Sequence, residues 1–274
     1  GTSRGEFKHI SNLKKQKKLS SLKINNSVSN LSDINGSQSL ELLNLISVDG
    51  GKYNIDLFSF PNLKYLYVYG DSSNDLSKLH ELTKLKILFA GVDAYIGGVK
   101  LPKSLEYLRF GGAVNNKMPN FFNSNKLKEI IISYASFSEL KGLDGLDNLE
   151  KLTIYNTPLE KISGLDDLSS LKELKIKRSN ITKIENVEHL DNLEVLSLSY
   201  NKIKTIDNIN GLKSIKHIQL DVNEIENIDF SVFDGIEGCR VYLLSNPVFD
   251  NSEGELYRKL MSLETYGDLT TLKK

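Results

Sequence analysis

Side chains that could carry out chemistry are few in this sequence, and their spacing matches none of the common catalytic or metal sites. The histidines lie far apart, at His9, His80, His189 and His217, and none has a cysteine or carboxylate at metal-ligand spacing. Cys239 is the one cysteine, so no intrachain disulfide can form, and a buried apolar role is expected for it. Phosphate-binding loops, zinc-protease motifs and serine-hydrolase motifs are absent from the sequence. We therefore predict that the protein is not an enzyme and uses no metal and no cofactor.

The net charge and the hydropathy of the chain indicate which class of molecule it could bind. The 274 residues include 35 basic and 35 acidic side chains, so the formal net charge is zero. A balanced chain has no overall electrostatic attraction to nucleic acid or to an anionic membrane. No apolar run approaches the roughly 20 residues that a membrane-spanning helix needs. These features predict a protein partner, no nucleic-acid binding and no membrane insertion.

A repeat runs through nearly the whole chain, and its copies are 20 to 23 residues apart. Each copy places apolar residues at the three named positions of the pattern Leu-x-x-Leu-x-Leu. The last copy is eroded and has Gly238, Val241 and Leu243 in the three slots. The first positions of the other copies are Leu19, Leu40, Leu63, Leu85, Leu105, Leu127, Leu149, Leu171, Leu193 and Ile215.

The most regular copy begins at Leu193 and shows why the pattern folds as a coil. Leu196 and Leu198 alternate with polar residues, as a strand with one buried face requires. Asn201 follows the strand, where its amide is expected to bond backbone groups that the turn leaves unpaired. A single coil cannot bury its apolar edge alone, whereas stacked coils can. Stacking places the strands side by side and predicts one long parallel sheet.

This pattern resembles the leucine-rich repeat superfamily, and the nearest subtype is the 22-residue class of phosphatase-regulating and internalin-like members. The resemblance covers about residues 13 to 272. It implies an α/β solenoid, a right-handed horseshoe with a parallel concave β-sheet and short helical or 3₁₀ convex segments, one of them lined by Ile209 and Leu212. Earlier coils depart from the family at the asparagine slot. Only Asn201, Asn223 and Asn246 fit it, and the earlier coils have Ser27, Val48, Asp71, Asp93, Ala113, Ala135, Thr157 and Ser179.

Three segments follow from this organisation. Residues 1–18 are predicted to be an N-terminal extension or cap, residues 19–248 the repeats, about eleven in number, and residues 249–274 a helical C-terminal cap. The cap resembles the motif that closes many intracellular leucine-rich repeat proteins. Within it, Ser252 and Glu255 have the spacing of a capping box. Solenoids need such caps because their terminal coils expose apolar edges.

The alternating partners of the buried leucines define the binding face that we predict on the concave sheet. An aromatic and apolar band is followed along the chain by a more polar, basic region, and aromatic side chains and arginine are the types that anchor protein interfaces. Gly91 and Gly111 are expected to let a partner approach the sheet closely. Ser133, Ser197 and Ser199 are also predicted to point outward. The candidate partner-binding residues are Tyr65, Tyr67, Tyr69, Ile87, Phe89, Tyr107, Arg109, Ile131, Tyr155, Lys175 and Lys177.

A structural reading of the same residues stays open, since aromatic side chains also stabilise strands that bind nothing. We nevertheless predict a non-enzymatic protein–protein interaction module, a scaffold or regulatory subunit that is monomeric alone and cytoplasmic. One alternative is a secreted or cell-surface adhesion or virulence protein of the internalin-like kind. Another is the substrate-recognition part of a larger enzyme.

Overall fold

The computed structural model describes residues 18–25, 31–46, 53, 55–70, 75–91, 96–112 and 118–249. Short strands alternate with turns in this part of the chain. The strands are β1 (Ser21–Asn25), β2 (Leu42–Ile46), β3 (Tyr65–Tyr69), β4 (Ile87–Ala90), β5 (Tyr107–Gly111), β6 (Glu129–Ser133), β7 (Lys151–Tyr155), β8 (Glu173–Lys177), β9 (Val195–Ser197), β10 (His217–Gln219) and β11 (Arg240–Tyr242). Helical structure in the described residues consists of the 3₁₀ helices Ser32–Ile34, Leu57–Ser59, Leu79–Glu81, Phe230–Phe233 and Pro247–Phe249.

The strands form a parallel sheet in which their order follows the order of the sequence. Side chains alternate along each strand: in β3, Leu66 and Val68 are buried while Tyr65, Tyr67 and Tyr69 are partly exposed. This alternation is the two-residue period that the repeat predicts. The parallel-sheet solenoid expected from the sequence is therefore confirmed.

The first compact unit comprises Gly1–Leu127 and Ile131–Ala135. Its strands pair in the register of the repeat, so that Leu43 lies beside Leu66 and Leu66 beside Leu88. These leucines are fully buried and form the core of stacked coils. The coil between β4 and β5 is the shortened one, and its described residues 96–106 form turns and no helix, as its glycines and Pro102 predict.

The second unit comprises Lys128–Ile130 and Ser136–Lys274. Here the return segment that contains Ile209 and Leu212 consists of turns, although a short helix or 3₁₀ helix was expected. Asn208, directly before Ile209, has a φ of 56°, which lies outside the right-handed helical region, so a helix could not extend back through it. Its Nδ2 instead donates a hydrogen bond to the carbonyl of Ile184 in the preceding coil, at 2.7 Å. Ile209 and Leu212 are buried as predicted.

The three asparagines of the asparagine slot do what their position predicts. Asn201 is buried, and its Nδ2 donates to the carbonyls of Ile176 and Leu198 at 2.7 and 2.9 Å. Its Oδ1 accepts the backbone N–H of Ile181. Asn223 and Asn246 repeat these contacts one and two coils later. We call these three side chains the asparagine ladder.

The predicted end caps fall almost entirely on residues outside the described ranges. Of the N-terminal extension only Lys18 is described, and of the C-terminal cap only Phe249. Ser252 and Glu255, which carry the predicted capping box, lie outside the described residues as well.

Candidate functional site

The outward side chains of β3, β4 and β5 in the first unit form a surface that we call the aromatic face. Each of them is partly exposed and alternates with a buried residue such as Leu66, Leu88 or Leu108. The strands display them because a pleated strand sends successive side chains to opposite faces. The aromatic face consists of Tyr65, Tyr67, Tyr69, Ile87, Phe89, Tyr107 and Arg109.

Phe89 lies at the centre of this face. Its ring stacks on Tyr67, with centroids 4.7 Å apart, and on Tyr107, with centroids 5.2 Å apart. The Arg109 guanidinium lies over the same ring, 5.9 Å from its centroid. Stacked rings hold one another in position, and a cation over a ring is attracted by the ring's negative face. The result is a preorganised apolar surface that carries one cation.

Two glycines beside these rings have a packing role that the sequence does not predict. A Cβ at Gly91 would lie 2.9 Å from Cδ1 of Tyr69, and a Cβ at Gly111 would lie 2.3 Å from the backbone oxygen of Ser133. The position that a Cβ would occupy at either glycine is therefore already filled by the chain itself, while both glycines are partly exposed, so the approach of a partner there stays a prediction. Gly91 gives room to the Tyr69 ring, whose burial raises the pKa of its hydroxyl.

The remaining predicted site residues lie on the same side of their strands. Ile131 is partly exposed on β6 and belongs to the first unit. In the second unit, Tyr155 on β7 lies beside Lys177 on β8, and Lys175 is two residues before Lys177 on the same strand face. The structure thus groups the predicted residues within each unit, on neighbouring strands.

The outward side chains of β7 to β10 form what we call the charged face. Glu173 lies between Lys151, at 3.6 Å, and Lys175, and forms salt bridges with both. Burial raises the pKa of Glu173, but the Lys175 hydrogen bond and the two ammonium charges outweigh it, so that the net pKa is lowered. The Lys177 Nζ donates to Oε1 of Gln219 at 3.3 Å. Burial, followed by the charge of Lys175, lowers the pKa of Lys177.

Three serines on the strand faces are covered, although the sequence predicts that they point outward into solvent. Ser133, Ser197 and Ser199 are each at most 5% exposed. Ser197 donates to Oε1 of Gln219 at 2.7 Å, beneath the longer side chains around it. A short side chain between long neighbours loses its solvent even where the strand directs it outward, so these serines are not available to a partner.

Sequence reasoning missed a series of residues at the ends of the strands. The residue just before the asparagine slot has a positive φ in several coils: 54° at Arg178, 60° at Tyr200 and 56° at Val222. Glycine and asparagine are the residues that favour this left-handed region, and β-branched side chains favour it least. The side-chain type gives no signal at these three residues. Their fixed distance from the repeat motif, together with Gly70, Gly112 and Asn156 at the same position of other coils, could have identified them.

Among the described residues, no group of three or more His, Cys, Asp or Glu side chains is arranged to hold a metal ion. No helix in those ranges has both the length and the apolar character to cross a bilayer.

Comparisons with known proteins find the same leucine-rich repeat that the sequence pattern indicates. The family model described as "Leucine Rich repeats (2 copies)" matches residues 191–232. A Leptospira interrogans leucine-rich repeat protein matches with a TM-score of 0.63 and 19% identity, over 86% of this chain and 69% of that one. An internalin from Listeria monocytogenes, InlF, matches with a TM-score of 0.56 and 21% identity, over 85% and 83%. The chain has the leucine-rich repeat fold, and its residues 191–232 match the repeat family.

The matched repeats include Asn201 and Asn223, and therefore two members of the asparagine ladder. TLR13, in a structure of its complex with ssRNA13, is similar to this chain with a TM-score of 0.53 and 20% identity, over 80% of this chain and 31% of that one. No curated protein sequence matches the chain. At these identities, the structural matches bear on the fold alone.

Proposed function

We propose that this leucine-rich repeat protein is a non-enzymatic interaction module, a scaffold or regulatory subunit, whose protein partner binds the aromatic face. Leucine-rich repeat proteins are typically protein-interaction modules. The observation that carries the proposal is the stack of Tyr67, Phe89 and Tyr107 with the Arg109 guanidinium over its central ring. Rings that are already stacked lose little conformational entropy when a partner covers them.

The residue types of this face match those that dominate binding energy in protein interfaces. Tyrosine and arginine are enriched among side chains whose truncation weakens binding most, and such side chains cluster near the centre of an interface. Phe89 has this central position between its two ring neighbours. We propose that Ile131 in the first unit and Tyr155, Lys175 and Lys177 in the second add contacts of lower energy.

Affinity purification from native lysate tests the proposal when three baits are compared. The baits are the unaltered chain, a triple variant with Tyr67→Ala, Phe89→Ala and Tyr107→Ala, and Phe122→Ala as a matched control. Phe122 is 75% exposed and lies in a turn between β5 and β6, so its loss removes an aromatic side chain away from the strand face. We expect the same partner on the unaltered and control baits and its loss from the triple variant.

The purified partner then allows a quantitative test. Phe89→Ala alone is expected to weaken binding by about 2 kcal/mol, or roughly 30-fold in Kd. Equal Kd values for the triple variant and the unaltered chain would place the partner elsewhere on the molecule. Nuclease treatment of the lysate provides a further check, since a captured ligand that disappears with nuclease is a nucleic acid.

The location of the protein in the cell is a separate proposal. We propose a cytoplasmic protein, with a secreted or cell-surface protein of the internalin-like kind as the alternative. Protease treatment of intact cells decides between them, because a surface protein is digested and a cytoplasmic one is protected until the cells are lysed.

A further inference from the structure

The second unit exposes a line of apolar side chains at its strand ends that the proposed function does not use. Tyr200, Val222 and Leu244 are 47%, 36% and 61% exposed. They are all of the large apolar side chains that are exposed among the described residues of this unit. We call them, together with Lys177 and Arg178, the strand-end ridge.

The ridge is continuous because its residues follow one another across the hydrogen-bonded strand ends. The N–H of Tyr200 donates to the carbonyl of Asp221 at 2.9 Å, and the N–H of Val222 donates to the carbonyl of Leu244 at 2.8 Å. On the other side, the Arg178 N–H donates to the carbonyl of Ser199. The three apolar residues and the arginine therefore lie on successive coils of one surface.

Two members of the ridge are held in a backbone conformation that their side chains disfavour. Tyr200 has a φ of 60° and Val222 a φ of 56°. Gly70 and Gly112, in the first unit, occupy the same position of the repeat and adopt positive φ without steric cost. Strained backbone tends to occur at functional sites, where the side chain matters more than the strain. The positive φ itself belongs to the repeat, since it is shared at the same position by Tyr134, Asn156 and Ser245. What distinguishes the ridge is that bulky, exposed apolar side chains occupy this position on successive coils, at Tyr200 and Val222.

The charges on the ridge favour an anionic partner. The Arg178 guanidinium lies 4.8 Å from the centroid of the Tyr200 ring. Among the described residues, neither Arg178 nor Lys177 forms a salt bridge, and Lys177 donates only to the neutral Gln219. The nearby carboxylate of Asp221 already accepts the backbone N–H of Leu244 at 3.0 Å. The carboxylates of Asp221 and Glu173 both act on Lys177, whereas Arg178 is left without a salt bridge in the described part of the chain, so an incoming carboxylate would pair with Arg178.

We infer that the strand-end ridge is a second docking surface, which binds a partner segment that has an apolar side chain next to a carboxylate. The apolar side chain covers Tyr200, Val222 and Leu244, and the carboxylate pairs with Arg178. The ridge belongs to the second unit and needs nothing from the aromatic face.

A random peptide library displayed on phage and selected on the full chain tests this inference. We expect the enriched peptides to combine apolar and acidic residues. The Kd of a labelled representative peptide should rise by about tenfold or more in Arg178→Gln, because a charge-assisted bond is lost. The triple variant of the aromatic face should bind the same peptide with unchanged Kd, which separates this inference from the proposed function.

Val222→Gly is the variant that distinguishes a binding role from a structural one. Glycine adopts positive φ freely, so the variant should unfold at the same or a higher temperature than the unaltered chain. It should nevertheless bind the selected peptide at least about tenfold more weakly, since part of the apolar surface is gone. A side chain kept only for stability would give the opposite thermal result.

The inference is overturned if the selection enriches no acidic-apolar peptide, or if the enriched peptides bind Arg178→Gln and Val222→Gly as tightly as the unaltered chain. Binding of a short RNA or of phosphatidylserine vesicles without any peptide would overturn it too, because those ligands need the cations alone. Self-association that Val222→Gly abolishes, without peptide binding, would identify a second copy of the chain as the occupant instead.

Discussion

The aromatic face and the charged face lie on strands that the same repeat motif forms in different coils. Different interactions nevertheless hold the side chains of each face in place. On the aromatic face, rings stack on one another and Tyr69 lies over Gly91. On the charged face, Glu173 holds two lysines and Ser197 is covered by a hydrogen-bonded Gln219. The buried leucines are alike in both, so the solvent side of a coil varies independently of its core.

The same contrast extends to the contacts between coils. In the second unit the asparagine ladder satisfies buried backbone groups in two coils at once. Close backbone approaches occur in both units, since a Cβ at Gly111 would lie 2.3 Å from the backbone oxygen of Ser133 and a Cβ at Gly211 would lie 2.3 Å from that of Glu188. Tight packing between coils is therefore common to the two units, and the asparagine ladder is what the second unit adds to it.

Among the predicted changes in the free energy of unfolding, the largest is expected when an asparagine is removed from the ladder. Asn223→Ala leaves the N–H of Ile203 without its partner, while the carbonyls of Leu198 and Leu220 each lose one of two donors and keep Asn201 and Asn246. An unsatisfied buried N–H costs about 1–3 kcal/mol, and the two further hydrogen bonds lost bring the expected total to roughly 3 kcal/mol. Urea unfolding measures the total, and amide exchange should show the loss in coils around β9 and β10. A loss below about 1 kcal/mol would contradict the importance of the ladder.

The second-largest loss of stability is expected when a side chain is added where Gly111 approaches the backbone of Ser133. Gly111→Ala places a Cβ against the Ser133 carbonyl, which is backbone and cannot rotate away, and we expect a loss of about 2 kcal/mol. Gly36→Ala is the control, since nothing lies within 4 Å of its Cβ and only its positive φ is penalised. If both variants unfold at the same urea concentration, shape does not hold these coils together.

Extending the asparagine ladder by one coil should stabilise the fold, by less than the two preceding variants destabilise it. Ser179 occupies the asparagine slot, and its Oγ is buried without a hydrogen-bond partner among the described residues. Ser179→Asn would supply an amide where the next coil already has one, and we expect a gain of about 1 kcal/mol in the free energy of unfolding. Ser179→Ala serves as the control for simply removing the hydroxyl. If the alanine variant gains as much stability as the asparagine variant, the gain does not come from the added amide of the ladder.

The smallest effect is expected on the charged face and depends on pH. The folded-state pKa of Glu173 is lowered, so its ion pairs stabilise the fold above the unfolded-state value of about 4.3 and are lost as pH falls through the lower folded value. Glu173→Gln should therefore cost less than about 1 kcal/mol at pH 7, and this difference should vanish near pH 3. Thermal unfolding of both proteins across that range, with the exposed Glu226→Gln as control, measures it. A difference that grows toward low pH would contradict the sign.

Much of the fold was predictable because one local rule repeats. Leu196 and Leu198 alternate with outward residues, and the same alternation places Tyr67 and Phe89 outward on their strands. The fit of Asn201 to its slot was predictable for the same reason. The space above Gly91 was not, because it depends on where the ring of Tyr69 lies in the neighbouring coil.

The sequence by itself determined which residues are strands, which side chains enter the core and where the asparagine ladder lies, because burial imposes a fixed period on apolar residues. Only the tertiary structure decided which outward side chains remain accessible and which backbone positions are strained. Ser197 is covered and Val222 is exposed, although residue type favours the reverse. Both outcomes depend on neighbours about one repeat away along the chain, which no local pattern describes.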